Sequence, residues 1–235
     1  MTVSEATVIP AQAGIQRPVR VALLGAESTG KTQLAQALAA HLRESGLRAV
    51  AVPEVLRAWC VREGRQPRPE EQLPIAREQE RQVDAAAADA DVVIADTTAL
   101  MIPIYAGMLF DDGPLLRFAL ERQRIYEATL VTGLDLPWVA DGLHRDATHP
   151  REDVDALVRS LLQRAGVPYQ VVYGTGAQRL QGALAALVSA GVLPQEMAQH
   201  PADANPQRAW TWLCEKCSDP ACEHRLFRAL REGRT

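Results

Sequence analysis

The residues best suited to chemistry lie in one glycine-bounded segment near the N-terminus. This segment follows the apolar run 19–24 and precedes residues 33–42, where apolar side chains recur at helical spacing. Its two glycines let the backbone turn tightly, so that consecutive N–H groups point at one anion, and the following helix adds its partial positive end. Strand, glycine loop and helix in this order favour a phosphate-binding loop (P-loop) over an ordinary glycine-rich turn. The predicted P-loop consists of Gly25, Ala26, Glu27, Ser28, Thr29, Gly30, Lys31 and Thr32.

Three side chains supply the chemistry that such a loop needs. Lys31 is placed to reach the β- and γ-phosphates of a nucleotide, and the hydroxyl of Thr32 suits Mg²⁺. Asp96 ends the apolar run 92–95, where the second acidic motif of a P-loop protein is expected. A carboxylate beside Thr32 would hold Mg²⁺, directly or through water, or orient a nucleophile, although aspartate is also a good helix N-cap. We interpret Thr32 and Asp96 as Mg²⁺ ligands.

Glu54 and Arg57 follow the predicted second strand and lie on the same rim as the P-loop. This position favours contact with an acceptor substrate, because ligands of parallel sheets bind outside the carboxyl ends of the strands. The two residues are three positions apart on one helix face, so a solvated ion pair of little consequence is the alternative.

The polar stretch after the fourth predicted strand carries two further cations. Arg145 and Arg151 would close over a transferring phosphoryl group and neutralise its charge, or they would belong to a solvated basic loop. Trp138 would stack on a ring or pack in the core. The turn 174–176 would suit a loop near an adenine, with Arg179 stacking there, although a tight turn explains these residues equally well.

Apolar runs alternate with helical patterns along the chain, and this alternation predicts the fold. Five strands between residues 19 and 173, separated by helices, are typical of an α/β P-loop NTPase, a three-layer sandwich with a five-stranded parallel sheet. The loops after the strands would converge on one cleft. The expected helices include one over 70–89 with Pro74 as a break or fresh start, one over 100–110 interrupted at Pro103, and one over 115–128.

Length and composition limit the domain count and the classes of partner. The 235 residues, 47% of them hydrophobic, allow one large domain or one ordinary domain with an appendage. A net charge of −4 without a block of Lys or Arg argues against nucleic acid as a partner. No apolar run approaches the ~18 residues of a membrane span, and the first residues lack the pattern of a secretory signal. We therefore expect a cytoplasmic protein without a membrane partner.

The composition and periodicity predict four parts along the chain. Residues 1–17 mix polar residues, proline and glycine without periodicity and predict a disordered or loosely packed leader. Residues 18–193 form the P-loop domain, 194–206 a proline-containing linker, and 207–235 a separate tail.

The tail contains a Cys-x₂-Cys-x₄-Cys-x-His pattern. Three thiolates and an imidazole are the ligand set of a closed structural Zn²⁺ site, and a segment this short would need the metal for its stability. Two alternatives stay open: a tail helix docks on the domain with free thiols, or three ligands bind and a fourth comes from elsewhere. The expected zinc ligands are Cys214, Cys217, Cys222 and His224.

Several of these segments together resemble the NadR-type ribosylnicotinamide kinase domain. The resemblance covers roughly residues 18–190 in matching order. It rests on GAESTGKT at 25–32, Glu54–Arg57, IAREQ at 75–79, IADT at 94–97, WVADGL at 138–143 and VPY at 167–169. It differs in two places, since Ala58 stands where the family often has an acid, and His144 separates the Asp-Gly-Leu segment from Arg145.

The resemblance implies an ATP-dependent kinase that uses Mg²⁺ and phosphorylates nicotinamide riboside or a related riboside. The implied catalytic residues are Lys31, Asp96, Glu54 and Arg145, and the implied substrate-binding residues are Glu54, Arg57, Asp96, Thr97 and Trp138. The rival interpretation is a regulatory protein that binds ATP, hydrolyses it slowly and signals through its tail. Ala58 and the added tail favour this rival.

Overall fold

The computed structural model describes residues 17–107, 113–137 and 150–198 of the chain. Its strands are β1 (Val19–Leu24), β2 (Ala49–Val52), β3 (Val92–Asp96), β4 (Ala128–Thr132) and β5 (Gln170–Val172). Its helices are α1 (Lys31–Glu44), α2 (Val55–Glu63), α3 (Pro69–Ala87), α4 (Met101–Tyr105), α5 (Pro114–Gln123), α6 (Arg151–Arg164) and α7 (Gly176–Ser189), and a short 3₁₀ helix, Gln195–Ala198, follows.

The five strands form one parallel sheet in the order β2-β3-β1-β4-β5. β1 lies at the centre, where Val21 is in register with Ile94 of β3 and with Ala128 of β4. Both neighbours of β1 therefore direct their carboxyl ends to the same edge as the P-loop. The predicted five-stranded parallel sheet is confirmed.

Helices cover both faces of the sheet, because its strands are apolar on both sides. On one face, Val21 and Leu23 of β1 pack with apolar residues of α1 and α7, among them Leu38 and Leu184. On the other face, Leu24 packs with residues of α2, α3, α4, α5 and α6. The sheet is thus the middle of three layers.

Proline does not interrupt either helix in which it was expected to act. α3 runs without a break from Pro69 to Ala87 with Pro74 inside it. Pro74 lies in the second turn, so only one helical hydrogen bond, to the carbonyl of Glu70, is lost. α4 is a five-residue helix that contains Pro103 and ends at Tyr105, so the predicted helix over 100–110 is wrong at residues 106 and 107. Residues 108–110 of the predicted helix lie outside the described residues.

The helix predicted over residues 115–128 is wrong at its C-terminal end. α5 ends at Gln123, and Ala128 already belongs to β4. The intervening residues are fixed by tertiary contacts: Tyr126 is buried, and the Glu127 N–H donates to the Arg20 carbonyl at 3.0 Å. These contacts turn the chain into the sheet beside β1.

The chain beyond α7 packs on the domain as far as the structure describes it. Leu193 belongs to the same apolar cluster as α1, and the Met197 carbonyl lies 3.3 Å from His41 Nε2. The boundaries of the leader, linker and tail stay predictions. None of the described helices combines the length and apolar character that a membrane crossing requires.

Candidate functional site

The P-loop joins β1 to α1 in a conformation that depends on glycine at both ends. Gly25 and Gly30 have positive φ angles of 140° and 76°. A Cβ added to Gly25 would lie 2.3 Å from Thr132 Oγ1 on β4, so no other residue fits there without rearrangement. Gly30 is the N-cap of α1 and has no side chain with which to cap it, and the first turn of α1 carries no acid. The first N–H groups of α1 are therefore suited to an anion.

Threonines hold the P-loop against the end of β4. The Thr29 hydroxyl donates to the Ala26 carbonyl at 2.7 Å. The Thr132 hydroxyl in turn donates to Thr29 Oγ1 at 2.7 Å. Thr29 and Thr132 are both buried, so these bonds are shielded from water. They fix the loop that was predicted to bind phosphate.

Lys31 folds back over the P-loop. Its side chain is 8% exposed, and Nζ donates to the Gly25 carbonyl at 2.9 Å and to the Ala26 carbonyl at 2.6 Å. The ammonium group is therefore held at the loop by two uncharged acceptors. This is the place where a cation would meet the phosphates of a nucleotide bound to the loop.

Thr32 and Asp96 come together, although they are 64 residues apart in the chain. The Thr32 hydroxyl donates to Asp96 Oδ2 at 2.6 Å. Burial raises the pKa of the Asp96 carboxyl, and the hydrogen bond from Thr32 and the charge of Lys31 oppose that rise. Asp96 Oδ1 is buried and has no hydrogen-bond partner among the described residues.

These two side chains fit a Mg²⁺ ion. A hydroxyl and a carboxylate are hard oxygen ligands, and the orphaned Oδ1 is a buried polar atom in need of a partner. The described residues contain no group of three or more His, Cys, Asp and Glu side chains that would hold a metal. Mg²⁺ at Thr32 and Asp96 would therefore depend on further ligands from nucleotide phosphates and water, as is usual for this ion.

The acceptor-side residues line the same rim. The Glu54 side chain is 5% exposed and lies 3.3 Å from Arg57 Nε, whereas Arg57 is 43% exposed. Both charges act on the carboxyl of Asp96, since Glu54 raises its pKa and Arg57 lowers it. The structure therefore brings the two predicted acceptor-side residues to the Thr32–Asp96 pair. Glu54 and Arg57 do form an ion pair, but the carboxylate of Glu54 is buried, so the pair is not the solvated one that the sequence left as an alternative.

The sequence placed Thr97 and Gln79 in motifs of this rim but did not predict their backbone strain or contacts. Thr97 is buried and adopts a positive φ of 71°, which is rare for a β-branched residue, and its N–H donates to the Leu23 carbonyl at 3.1 Å. Such backbone strain clusters at functional sites. Gln79 spans the turn after β2, accepting the Val55 N–H at 2.8 Å and donating to the Pro53 carbonyl at 3.3 Å. It thereby positions Glu54, and only the packing of α3 against this turn reveals that contact.

Arg179 does not occupy the stacking position expected from the sequence. Its side chain is 4% exposed and faces the carbonyls of Thr29 and Gly174 and the carboxylate of Asp135. The guanidinium is therefore buried among backbone and carboxylate partners and is not exposed for stacking on a ring.

The remaining candidates are only partly described. Arg151 begins α6 and donates from Nη1 to the Leu136 carbonyl at 3.0 Å. Two groups of predicted residues lie outside the described residues and stay predictions: Trp138 and Arg145 after β4, and the zinc ligands Cys214, Cys217, Cys222 and His224.

Comparison with known proteins agrees with this architecture. The sequence model of a family described as an AAA domain matches residues 20–179. A crystal structure of NadR protein in complex with NAD and AMP-PNP is similar to this chain with a TM-score of 0.58 and 16% sequence identity, over 75% of this chain and 50% of that chain. A crystal structure of NadR protein in complex with NR has a TM-score of 0.60 and 18% identity, over 73% of this chain and 50% of that chain.

These similarities concern the fold. At 16% and 18% identity, the NadR structures show that the chain shares the architecture of part of those proteins. This chain spans about half the length of the NadR chains that it matches. No curated protein sequence matches it significantly. The resemblance to a NadR-type P-loop domain is thus confirmed at the level of fold.

Proposed function

Because the chain belongs to this AAA domain family, we propose that it is an ATP-dependent kinase that phosphorylates a small molecule. The observation that carries the proposal is the contact of 2.6 Å between the hydroxyl of Thr32 and the carboxylate of Asp96, at the end of a P-loop with Lys31 folded over it. A phosphate loop and a metal-binding pair on one rim provide what phosphoryl transfer requires, namely positioning and charge neutralisation.

Each residue has a distinct role in this proposal. The P-loop N–H groups and Lys31 hold the β- and γ-phosphates. Thr32 and Asp96 hold Mg²⁺, which supplies neutralisation of the negative charge on those phosphates. Glu54 or Asp96 orients the acceptor hydroxyl, since both carboxylates lie on the same rim. Arg145 would bring a further cation to the transferring group.

The proposed acceptor is nicotinamide riboside or a related riboside. Support comes from the resemblance of the motifs to the NadR-type kinase domain and from the fold shared with a NadR protein crystallised with NR. The buried Glu54 beside Arg57 offers an acceptor for a sugar hydroxyl and a donor beside it.

A panel experiment tests the function. The full chain is incubated with ATP, Mg²⁺ and a set of ribosides, and the products are analysed by mass. A phosphorylated riboside supports the kinase, and nicotinamide riboside 5′-phosphate supports the proposed acceptor. ATP hydrolysis without any phosphorylated riboside would favour the rival regulatory ATPase, while the absence of ATP binding would overturn both.

Glu54→Gln separates the acceptor side from the nucleotide side. This change removes the negative charge but keeps the shape, so we expect riboside phosphorylation to fall at least about tenfold, the effect of losing one positioned acid or base. The affinity for MgATP should change much less, because Glu54 is not part of the P-loop. Glu63→Gln at the far end of α2, where the carboxylate is partly exposed and paired with Arg62, is the matched control. Equal losses of turnover and ATP affinity would contradict the acceptor-side role.

A further inference from the structure

A buried arginine on α7 binds the backbone of the P-loop. Arg179 donates from Nε to the Gly174 carbonyl at 2.7 Å, from Nη1 to the Thr29 carbonyl, and from Nη2 to Asp135 Oδ1 at 2.6 Å. Asp135 Oδ2 also accepts the Gly174 N–H at 2.5 Å. One side chain thus joins three segments at the carboxyl edge of the sheet: the P-loop, the loop after β4 and the loop after β5.

Stability alone does not account for this arrangement. Burial lowers the pKa of the Arg179 guanidinium, and the charge of Asp135 opposes this effect. Removing an ion pair from water costs so much that well-packed apolar side chains often stabilise a protein as well or better. A 4% exposed arginine that contacts the P-loop backbone therefore points to a role in the geometry of that loop.

The contact with Thr29 determines the orientation of the next peptide group. All described peptide bonds are trans, and in a trans peptide the C=O and the following N–H point in opposite directions. Because the Thr29 carbonyl faces Arg179, the Gly30 N–H faces away from it. Gly30 is the N-cap of α1 and directly precedes Lys31. Its N–H is therefore one of the N–H groups at the N-terminus of α1 that have no partner within the helix.

The Thr29–Gly30 peptide needs such a restraint because glycine does not provide one. Residue 30 has a positive φ of 76°, which glycine tolerates without a steric cost. The same freedom lets the peptide turn over, which would present a carbonyl oxygen to a phosphate in place of an N–H donor. The hydrogen bond from Arg179 Nη1 to the Thr29 carbonyl favours one of these orientations, and the bonds to Gly174 and Asp135 hold the planar guanidinium in place for it.

We propose that Arg179 is a positioning residue that holds the Thr29–Gly30 peptide with its N–H directed to the phosphates of the bound nucleotide. This inference rests on the nucleotide site of the proposed function. Asp135 keeps the guanidinium in place. Loss of Arg179 should therefore weaken the binding of the polyphosphate itself, whether or not a base is attached to it.

The test compares two probes in two arginine variants. Arg179→Met replaces the guanidinium with an apolar side chain. Arg122→Met is the matched control, because Arg122 on α5 is also an ion-paired arginine, 3.2 Å from Glu80 and 2.8 Å from Asp84, and none of its recorded contacts is to the P-loop. The affinities for MgATP and for magnesium tripolyphosphate are measured by calorimetry, with circular dichroism as the check on folding.

We expect Arg179→Met to lose at least about tenfold in affinity for both probes, since hydrogen bonds to charged groups are worth about that much or more. Arg122→Met should bind both probes as the unmodified chain does, even if it unfolds at a lower temperature. In NMR spectra, the Gly30 amide resonance of the unmodified chain should shift on addition of MgADP. The same resonance should shift much less in Arg179→Met. Asp135→Asn retains the arginine at position 179 but removes the charge that holds its guanidinium, so we expect a smaller loss of affinity for both probes. This variant replaces Arg179→Met in the test if Arg179→Met does not fold.

Three outcomes are decisive. Unchanged affinity of folded Arg179→Met for both probes overturns the positioning role. A loss for MgATP with unchanged tripolyphosphate binding also overturns it, because Arg179 would then act on the base. If the unmodified chain itself binds neither probe, the nucleotide site of the proposed function fails instead.

Discussion

The chain contains two lysines, and one of them lies in the P-loop. Lys31 and Lys216 are the only lysines, whereas every other permanent cation on a side chain is an arginine. The ammonium group of Lys31 fits between the carbonyls of Gly25 and Ala26 because it is a compact point charge with rotatable donors. A planar guanidinium needs more room and a fixed direction, as the separate site of Arg179 illustrates. A lysine at position 31 therefore suits the two carbonyls that its ammonium group contacts.

Lys31→Ala removes the cation at the β- and γ-phosphates. We expect nucleotide affinity or turnover to fall at least about tenfold, in line with ~2–4 kcal/mol of lost electrostatic stabilisation. Lys31→Arg keeps the charge but not the size, and we expect it to restore little. Calorimetry with MgATP and circular dichroism separate binding from folding. ATP binding and turnover equal to those of the unmodified chain would contradict the P-loop assignment.

Gly25→Ala introduces a methyl group where the structure leaves no space. The added Cβ would lie 2.3 Å from Thr132 Oγ1 and 3.0 Å from the Thr132 carbonyl oxygen, at a φ of 140°. We expect a loss of stability of about 1–3 kcal/mol, typical of overpacking, together with weaker MgATP binding because the loop must move. Gly166→Ala is the control, since its φ of 66° is also positive but nothing lies within 4 Å of the added Cβ. If urea unfolding gives equal losses for both variants, backbone strain and not the clash accounts for the requirement at Gly25.

At the scale of elements, the first turn of α3 is held by one carboxylate. Glu71 accepts a hydrogen bond from the Arg68 N–H at 2.7 Å and one from each terminal nitrogen of Arg65 at 2.7 Å. Arg65 in turn lies over the ring of Trp59 on α2 at 4.8 Å. Glu71 thus ties the start of α3 to the end of α2, which is the helix that begins beside Glu54. α3 also carries Gln79, which holds the turn that positions Glu54. A well-ordered first turn of α3 therefore helps to position Glu54.

Glu71→Gln should change stability in a pH-dependent way. The hydrogen bonds from Arg65 and then from Arg68 lower the pKa of the Glu71 carboxyl from 4.5 to about 2. A depressed pKa means that the stabilisation is complete above the unfolded-state value of 4.5 and is lost as the pH falls towards 2. The unfolding temperature of the unmodified chain should exceed that of Glu71→Gln by a constant amount from pH 7 to about 5, and the difference should shrink at lower pH.

Glu70→Gln provides the comparison for this experiment. Glu70 occupies the same turn of α3, and among the described residues it does not form the bidentate contact with Arg65 that Glu71 forms. Its replacement should give a smaller difference in unfolding temperature. A Glu71→Gln effect that persists unchanged at pH 3 would show that the charge of Glu71 does not stabilise the turn.

At the scale of the whole molecule, the strand order explains why one edge of the sheet carries the site. β1 lies between β3 and β4, so the P-loop, Asp96 and Thr132 emerge side by side. β2 flanks β3, which brings Glu54 next to Asp96 from the other direction. A parallel sheet places all of these ends on one edge, and the helices that cover its two faces keep water from the strands.

The tail is predicted to form a second, independent unit that binds zinc. Protein purified without chelator should contain about one zinc per chain by elemental analysis, as a closed site with three thiolates and one imidazole requires. Cys217→Ser should abolish this zinc and leave MgATP binding at the P-loop largely intact, while Cys60→Ser, which changes a buried cysteine of α2, should retain it. Metal-free protein with all three tail thiols freely reactive would contradict the site.

The features that depend only on neighbouring residues could be predicted from the amino-acid sequence. Glycine at positions 25 and 30, the apolar run before them and the amphipathic helix after them require only neighbouring residues, and the P-loop appears where they predict it. The position of Asp96 on the same edge of the sheet as Thr32 was also predictable, because parallel strands place their carboxyl ends at one edge whatever their order. Their direct contact depends on the adjacency of β1 and β3. Five strands and their helices followed from the period of their apolar residues.

Tertiary structure alone decided the contacts between segments that no local pattern links. The strand order, the end of α5 at Gln123, the positive φ of Thr97 and the turn held by Gln79 depend on which elements pack side by side. Arg179 shows the reason most directly, since the carbonyl that it binds belongs to Thr29, 150 residues earlier in the chain. An arginine at this position is equally compatible with an exposed helix surface. Only the folded sheet buries it against the P-loop, where its guanidinium donates hydrogen bonds to the Thr29 carbonyl and to Asp135.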